Sequence, residues 1–148
     1  MPFTNPSSAE IKALLEKART IAVVGLSSDP DRPSYSVAMY LQTQGYRIVP
    51  VRPGGGELFG EKVYARLSEI PFPIDLVDVF RRKNFLAGHI EETLSLKLPA
   101  IWAQEGVTDE AACAQARRAG LFVAQDLCVL KEHRRVGLSK SIPPPQRR

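Results

Sequence analysis

Thr20-Ile21-Ala22-Val23-Val24-Gly25-Leu26-Ser27-Ser28-Asp29-Pro30-Asp31-Arg32-Pro33-Ser34 is the stretch that decides the fold of this 148-residue chain. An apolar strand from Thr20 runs into a polar loop, and the loop runs straight into a helix. Such a junction makes a phosphate cradle. The first N–H groups of a helix have no partner inside it and point outward. The helix dipole adds roughly half a positive charge there, and an anion supplies what is missing. Gly25 lets a ligand approach the backbone. Ser27, Ser28 and Ser34 offer hydroxyls, and Arg32 offers a fixed charge. Pro33 has the fixed φ that suits a first helical turn.

The same alternation extends in both directions. Ser7-Ser8-Ala9-Glu10 is a capping box, and it predicts a helix through Ala18 with Ile11, Leu14 and Leu15 on its buried face. The strand spans Thr20–Leu26. A helix from Pro33 to Gln44 stops at Gly45, a left-handed cap. Tyr46–Val51 is the second strand. Pro53-Gly54-Gly55-Gly56 excludes regular structure, and a short strand at Lys62–Tyr64 and a helical turn near Arg66–Ile70 come next. Ile74–Phe80 reads as a central strand from its β-branched content. Asn84 caps a helix to Leu96, and Ala100–Ala103 is the next strand. Thr108 caps a helix with Asp109 and Glu110 in its first turn and Arg117 and Arg118 in its last, the charge order the dipole favours. Gly120 ends that helix and Leu121–Ala124 is a final strand. The connections suit right-handed crossovers. The pattern predicts an α/β, Rossmann-like open parallel sheet with helices on both faces. Loops beginning at Gly25, Arg52, Phe80 and Gln104 would meet at its carboxyl edge.

With 44% hydrophobic and 24% charged residues the composition is that of a globular protein. No apolar run reaches the roughly 18 residues of a membrane span, and no signal peptide is visible. Two cysteines, Cys113 and Cys128, argue against a disulfide scaffold and fit a reducing cytoplasm. A cytoplasmic location and no membrane partner are therefore expected. The net charge of +4 belongs to the end of the chain. From Lys131 onward six Lys/Arg stand against one Glu, a net +5, which leaves the other 130 residues at −1. Residues 1–136 are expected to form one domain and 137–148 a flexible basic tail, whose removal leaves fold and binding intact. Nucleic acid is not expected as a partner, because no aromatic residues interleave with these charges.

Residues beyond the cradle narrow the ligand. A dinucleotide fingerprint needs G-x-G-x-x-G and an acidic residue ending the second strand. Here the next glycine after Gly25 is Gly45, and the second strand ends on Val51-Arg52-Pro53. This counts against NAD, while NADP stays open because Arg accommodates a 2′-phosphate. Arg32, Arg52, Arg81 and Arg82 gather near one rim, which suits a ligand with several phosphates. Coenzyme A, with a pyrophosphate and a separate 3′-phosphate, fits that pattern.

Gly25-Leu26-Ser27-Ser28 with Pro30, Arg32, Pro33 and Ser34 resembles the first loop of the small stand-alone CoA-binding domain proteins. These are related to the CoA-binding domain of the succinyl-CoA synthetase α subunit. Val49-Pro50-Val51-Arg52-Pro53, Gly60-Glu61-Lys62-Val63-Tyr64, Val77-Asp78-Val79-Phe80-Arg81-Arg82, Trp102-Ala103-Gln104-Glu105-Gly106 and Ala119-Gly120-Leu121 carry the resemblance from Thr20 to Cys128. The resemblance implies a pyrophosphate on Gly25, Ser27, Ser28, Arg32 and Ser34. It implies the adenosine 3′-phosphate near Arg52, Phe80 and Arg81, and a pantetheine arm toward Gln104 and Gly106. Arg52 replaces the family's usual Asn. Cys128-Val129-Leu130-Lys131 departs from its Cys-Pro-Lys ending, so no role passes to Cys128.

No catalytic set is legible. His89 reads as a helix-surface residue and His133 as part of the basic tail. Cys113, among alanines, reads as core, and so does Trp102. Asp75 and Asp78 face opposite sides of their strand and make no carboxylate pair. The expected function is non-catalytic binding of coenzyme A or an acyl-CoA, alone or with an unidentified protein partner. The alternative is an NADP-dependent reductase, or an acyl-CoA enzyme needing a partner subunit.

Overall fold

Short apolar strands, all but the second followed by a helix, assemble a five-stranded parallel sheet. The computed structural model describes residues 2–140. In chain order it holds α1 (Ser8–Lys17), β1 (Thr20–Val24), α2 (Pro33–Thr43), β2 (Arg47–Val51), a two-strand hairpin of β3 (Glu57–Leu58) and β4 (Glu61–Lys62), β5 (Leu76–Val79), α3 (Leu86–Ser95), β6 (Ala100–Ala103), α4 (Glu110–Arg118), β7 (Phe122–Ala124) and α5 (Val129–Arg135). Sheet order is β2-β1-β5-β6-β7. Every neighbouring pair is parallel. This is the expected Rossmann-like architecture. Strand order reverses between β1 and β5, where open α/β sheets bind ligands.

The period of two along each strand divides the core. Ala22, Val24, Val77, Val79 and Ile101 face α3 and α4, meeting Leu86, Ile90, Cys113 and Ala116. Ile21, Val23, Leu76 and Trp102 face the other way, meeting Ile11 and Leu15 of α1, Val37 and Leu41 of α2, and Val129 of α5. Trp102 is fully buried and its Nε1–H donates to Leu127 O at 2.8 Å.

The Ser7 capping box forms as expected: Ser7 Oγ accepts from Glu10 N–H at 3.2 Å and Glu10 Oε1 from Ser7 N–H at 3.1 Å. Other boundaries move. Asp109, not Thr108, caps α4, accepting from Ala112 N–H at 3.1 Å. A 3₁₀ turn at Lys83–Phe85 precedes α3, and Asn84 is not its cap. The strand expected at Lys62–Tyr64 is β4, paired antiparallel with β3, while Tyr64 bridges to Val51. Asp75 lies at the amino end of the sheet, its Oδ2 accepting from Arg19 and Thr20 N–H at 2.9 Å, far from any partnership with Asp78.

Helix α5 is not expected from the sequence pattern. It buries Val129 and His133, and His133 Nδ1 lies 2.7 Å from Tyr40 Oη. His133 therefore belongs to the folded body, not to a tail. The chain stays on that body beyond α5. Leu138 packs against the core, and Gln44 makes two hydrogen bonds with the backbone of Lys140, at 2.8 and 3.2 Å. The remainder of the expected tail, 141–148, lies outside the described residues. Among the described residues no helix is long and apolar enough to cross a membrane.

Candidate functional site

Gly25 follows the last residue of β1, against the backbone of Phe80 just after β5. Its φ is +84°, and its N–H donates to Val51 O of β2 at 2.9 Å. A Cβ built there would lie 2.8 Å from Phe80 O and 3.0 Å from Arg81 Cγ. Only glycine leaves this seam open.

Two clefts flank the seam. The first, about 560 Å³, is lined by Gly25, Ser27, Arg32, Ser34, Phe80, Arg81 and Gln104, with Val37, Val107 and Cys128 adding apolar and thiol surface. The second, about 510 Å³, is lined by Val24, Gly25, Arg52, Arg66, Arg81, His89 and Glu92. Both volumes are of ligand-pocket size. Gly25 and Arg81 belong to both. The Arg81 guanidinium stacks 4.0 Å from the centroid of the Phe85 ring, which fixes its direction.

Hydrogen bonds within the cradle loop hold it in shape. Ser34 Oγ accepts from Ser27 N–H at 3.0 Å, and Ser27 Oγ accepts from Asp29 N–H at 3.0 Å. Asp29 Oδ1 accepts from Asp31 N–H at 2.9 Å. The Ser34 hydroxyl hydrogen remains for a ligand. Arg52 Nη1 reaches Leu26 O at 3.4 Å, linking the second strand's end to the loop.

Eight of the ten residues singled out by sequence thus converge, counting the two clefts together. Arg52 reaches only the second cleft. Ser28 and Gly106 line neither. Ser28 is exposed, and Gly106, also exposed, gives its N–H to Asp126 Oδ1 at 2.8 Å. Arg82 is exposed and outside both.

The sequence pattern puts His89 on a helix surface. Its side chain instead lines the second cleft, with Nδ1 3.8 Å from Glu92 Oε1 and a buried Nε2 that has no partner among the described residues. Burial first, then the Arg81 charge, lowers its pKa, so the imidazole is neutral at pH 7. Nothing in a single helix announces this; the cleft is made by α3 meeting the loops after β2 and β5. Cys113 contacts Gln125 Oε1 at 3.3 Å rather than a histidine, and burial pushes its thiol up to about 11. It is core, not a nucleophile.

The family described as "CoA binding domain" matches residues 19–134. An uncharacterized protein of Bacillus subtilis (strain 168), YneT, is 46% identical over 129 residues, covering 87% of this chain and 96% of its own. A solved Thermus thermophilus structure, cell-free ID.343, superposes with a TM-score of 0.83 at 40% identity, covering 88% of this chain and 99% of that one. The α subunit of ADP-forming acetate–CoA ligase II from Pyrococcus furiosus is 38% identical over 69 residues, 46% of this chain but only 15% of that subunit. The chain belongs to the CoA-binding domain family.

Proposed function

We propose that this member of the CoA-binding domain family holds coenzyme A, or an acyl-CoA, without performing chemistry on it. The observation that carries the reading is the open seam at Gly25, with a cationic cleft on each side and Arg81 reaching both. A side chain at Gly25 would fill the cradle where a pyrophosphate approaches the backbone. Gly25, Ser27, Ser34 and Arg32 would hold that group, and Arg52 and Arg81 would meet the adenosine 3′-phosphate. The first cleft, with Val37, Val107 and Gln104, suits the longer and less polar pantetheine arm. Charge-assisted hydrogen bonds from guanidinium groups are the strong ones for phosphate.

Two groups that a catalytic reading would enlist are held in other contacts: His133 pairs with Tyr40, and Glu105 pairs with Lys131 at 3.1 Å. These contacts favour holding over reaction. The test is native mass spectrometry of the purified protein, followed by calorimetry with CoA, dephospho-CoA, NAD and NADP. CoA is expected to bind more tightly than dephospho-CoA, and NAD not at all. NADP binding tighter than CoA would overturn the reading in favour of a reductase. Equal binding of CoA and dephospho-CoA would remove the 3′-phosphate assignment.

A further inference from the structure

Asp78 occupies the middle of β5, paired in register with Val23 of β1 and Trp102 of β6. It is 0% exposed. A carboxyl group in such a place is costly unless it is hydrogen-bonded. Its single side-chain partner among the described residues is Gln104, whose Nε2–H donates to Asp78 Oδ1 at 2.5 Å; Oδ2 has none. Gln104 is itself 5% exposed and lines the first cleft.

This pairing sets which end of the Gln104 amide the cleft receives. An ionised carboxylate only accepts hydrogen bonds, so it takes the amide nitrogen and leaves the carbonyl oxygen for the cleft. A protonated carboxyl gains an O–H donor; buried, that donor needs a partner, and the same carbonyl oxygen, one half-turn of the amide away, is the acceptor within reach. The nitrogen would then face the cleft.

We propose that Asp78 is a positioning residue of the cleft: its carboxylate holds Gln104 by the nitrogen and presents the carbonyl oxygen as acceptor for an amide N–H of the ligand, and protonation of Asp78 withdraws that acceptor. The proposal rests on the coenzyme A reading, because the pantetheine arm carries such amides. Burial pushes the Asp78 carboxyl up to about 7, against the lowering effect of Gln104, so both states are populated at neutral pH. The charged and titratable groups lining the first cleft with Gln104 are Arg32 before α2, Arg81 after β5, Glu105 with its partner Lys131, and Cys128 before α5, while Tyr40 on α2 and His133 on α5 pair with each other. None of them hydrogen-bonds Asp78.

The test uses dephospho-CoA, because the 3′-phosphate of CoA titrates near pH 6 itself. Binding that requires the ionised Asp78 strengthens as pH rises. With a pKa of about 7, the competent fraction, and so the affinity, rises about tenfold from about pH 6 to about pH 8. Asp78→Asn has no titrating proton, so its pairing with Gln104 is the same at every pH and the slope should flatten. Gln104→Leu should flatten it too and weaken binding at the upper pH. If Asp78→Asn fails to fold, Gln104→Leu carries the comparison, because Asp78 stays in place. A second readout needs no ligand: the Gln104 side-chain amide resonance, assigned by its loss in Gln104→Leu, should shift with a midpoint near 7 in the wild type and stay fixed in Asp78→Asn. Equal pH slopes in wild type and Asp78→Asn, or a Gln104 resonance indifferent to pH, overturn the proposal. Failure of every CoA compound to bind removes the coenzyme A reading instead, and the amide resonance then decides the positioning by itself.

Discussion

Replacing Gly25 by Ala tests the geometry of the seam directly. Two costs add there. A non-glycine residue at φ +84° pays about 1–2 kcal/mol for the left-handed backbone. The new Cβ also meets Phe80 O at 2.8 Å, a backbone atom that cannot rotate away. Forcing an extra carbon into a packed place costs about 1–3 kcal/mol. The expected total is about 2–5 kcal/mol, which in a chain of this size lowers Tm by about 4–20 °C. Gly45→Ala supplies the control. Gly45 has φ +100°, but nothing lies within 4 Å of its added Cβ, so only the backbone cost of about 1–2 kcal/mol applies. Thermal melting and urea titration of both variants separate the clash from the conformational cost. Calorimetry with CoA should show binding lost in folded Gly25→Ala and kept in Gly45→Ala. Equal destabilisation by the two substitutions would refute the close approach of β1 and β5 at this point, and undiminished CoA affinity in Gly25→Ala would refute the cradle.

Arg32→Ala and Arg81→Ala should each weaken CoA binding by about 1.5–3 kcal/mol, the worth of a hydrogen bond to a charged group, while Arg82→Ala, outside both clefts, should change it little; titration calorimetry ranks the three, and an unaffected Arg32→Ala would mean the phosphates lie elsewhere. His133 has its pKa lowered, by burial first and then by the Lys140 charge. The unfolded chain therefore takes up the proton more readily, so the stability from His133 is full above about pH 6.5 and is lost as pH falls through the lower folded value. Melting temperature against pH should show a steeper acid decline in the wild type than in His133→Phe, and parallel curves would count against it. Ending the chain after Val136 removes the Leu138 contact and both bonds between Gln44 and Lys140. The sequence pattern alone predicts no effect, whereas these contacts predict a Tm lowered by about 2–8 °C; an unchanged melt would show that they contribute nothing.

Elements whose cause is local were legible in the sequence, and elements whose cause is distant were not. The capping box of Ser7 and Glu10 encloses its own donors and acceptors, so its four residues suffice to find it. The strand, loop and helix around Gly25 carry their signal in consecutive residues. Helix α5 offers only Val129 and His133 as buried positions, one turn apart, and the second counts as polar in any hydrophobic pattern. Lys131, Glu132, Arg134 and Arg135 then make the segment read as a solvated tail. The burial of His133 depends on Tyr40 and Tyr46, roughly ninety residues earlier. Asp109 wins the cap of α4 from Thr108 because its own N–H is held by Gln125 Oε1, at 2.9 Å across the fold. The second cleft is likewise assembled from five separate stretches between Val24 and Glu92, and Asp78 gains its meaning only from a glutamine 26 residues on.

The reversal of strand order explains why there are two clefts and why they differ. Helix α2 leaves β1 toward the face that holds Val23 and Leu41, and α3 follows β5 on the opposite face, with Val77 and Ile90. The two chain directions splay at Gly25, and the carboxyl edge opens to both sides. On the α3 side the opening gathers Arg52, Arg66 and Arg81. On the α2 side it gathers Val37, Val107 and a polar pair, Gln104 over Asp78. In the proposed coenzyme A reading, the ligand spanning both is anionic in its middle, carries further negative charge at one end, and continues as a thinner, amide-bearing arm at the other. NAD, with a nucleoside at each end of its pyrophosphate, lacks that asymmetry, and NADP has the extra charge without the arm. Coenzyme A has both features, and that match is the support the two clefts lend to the proposed reading over either dinucleotide.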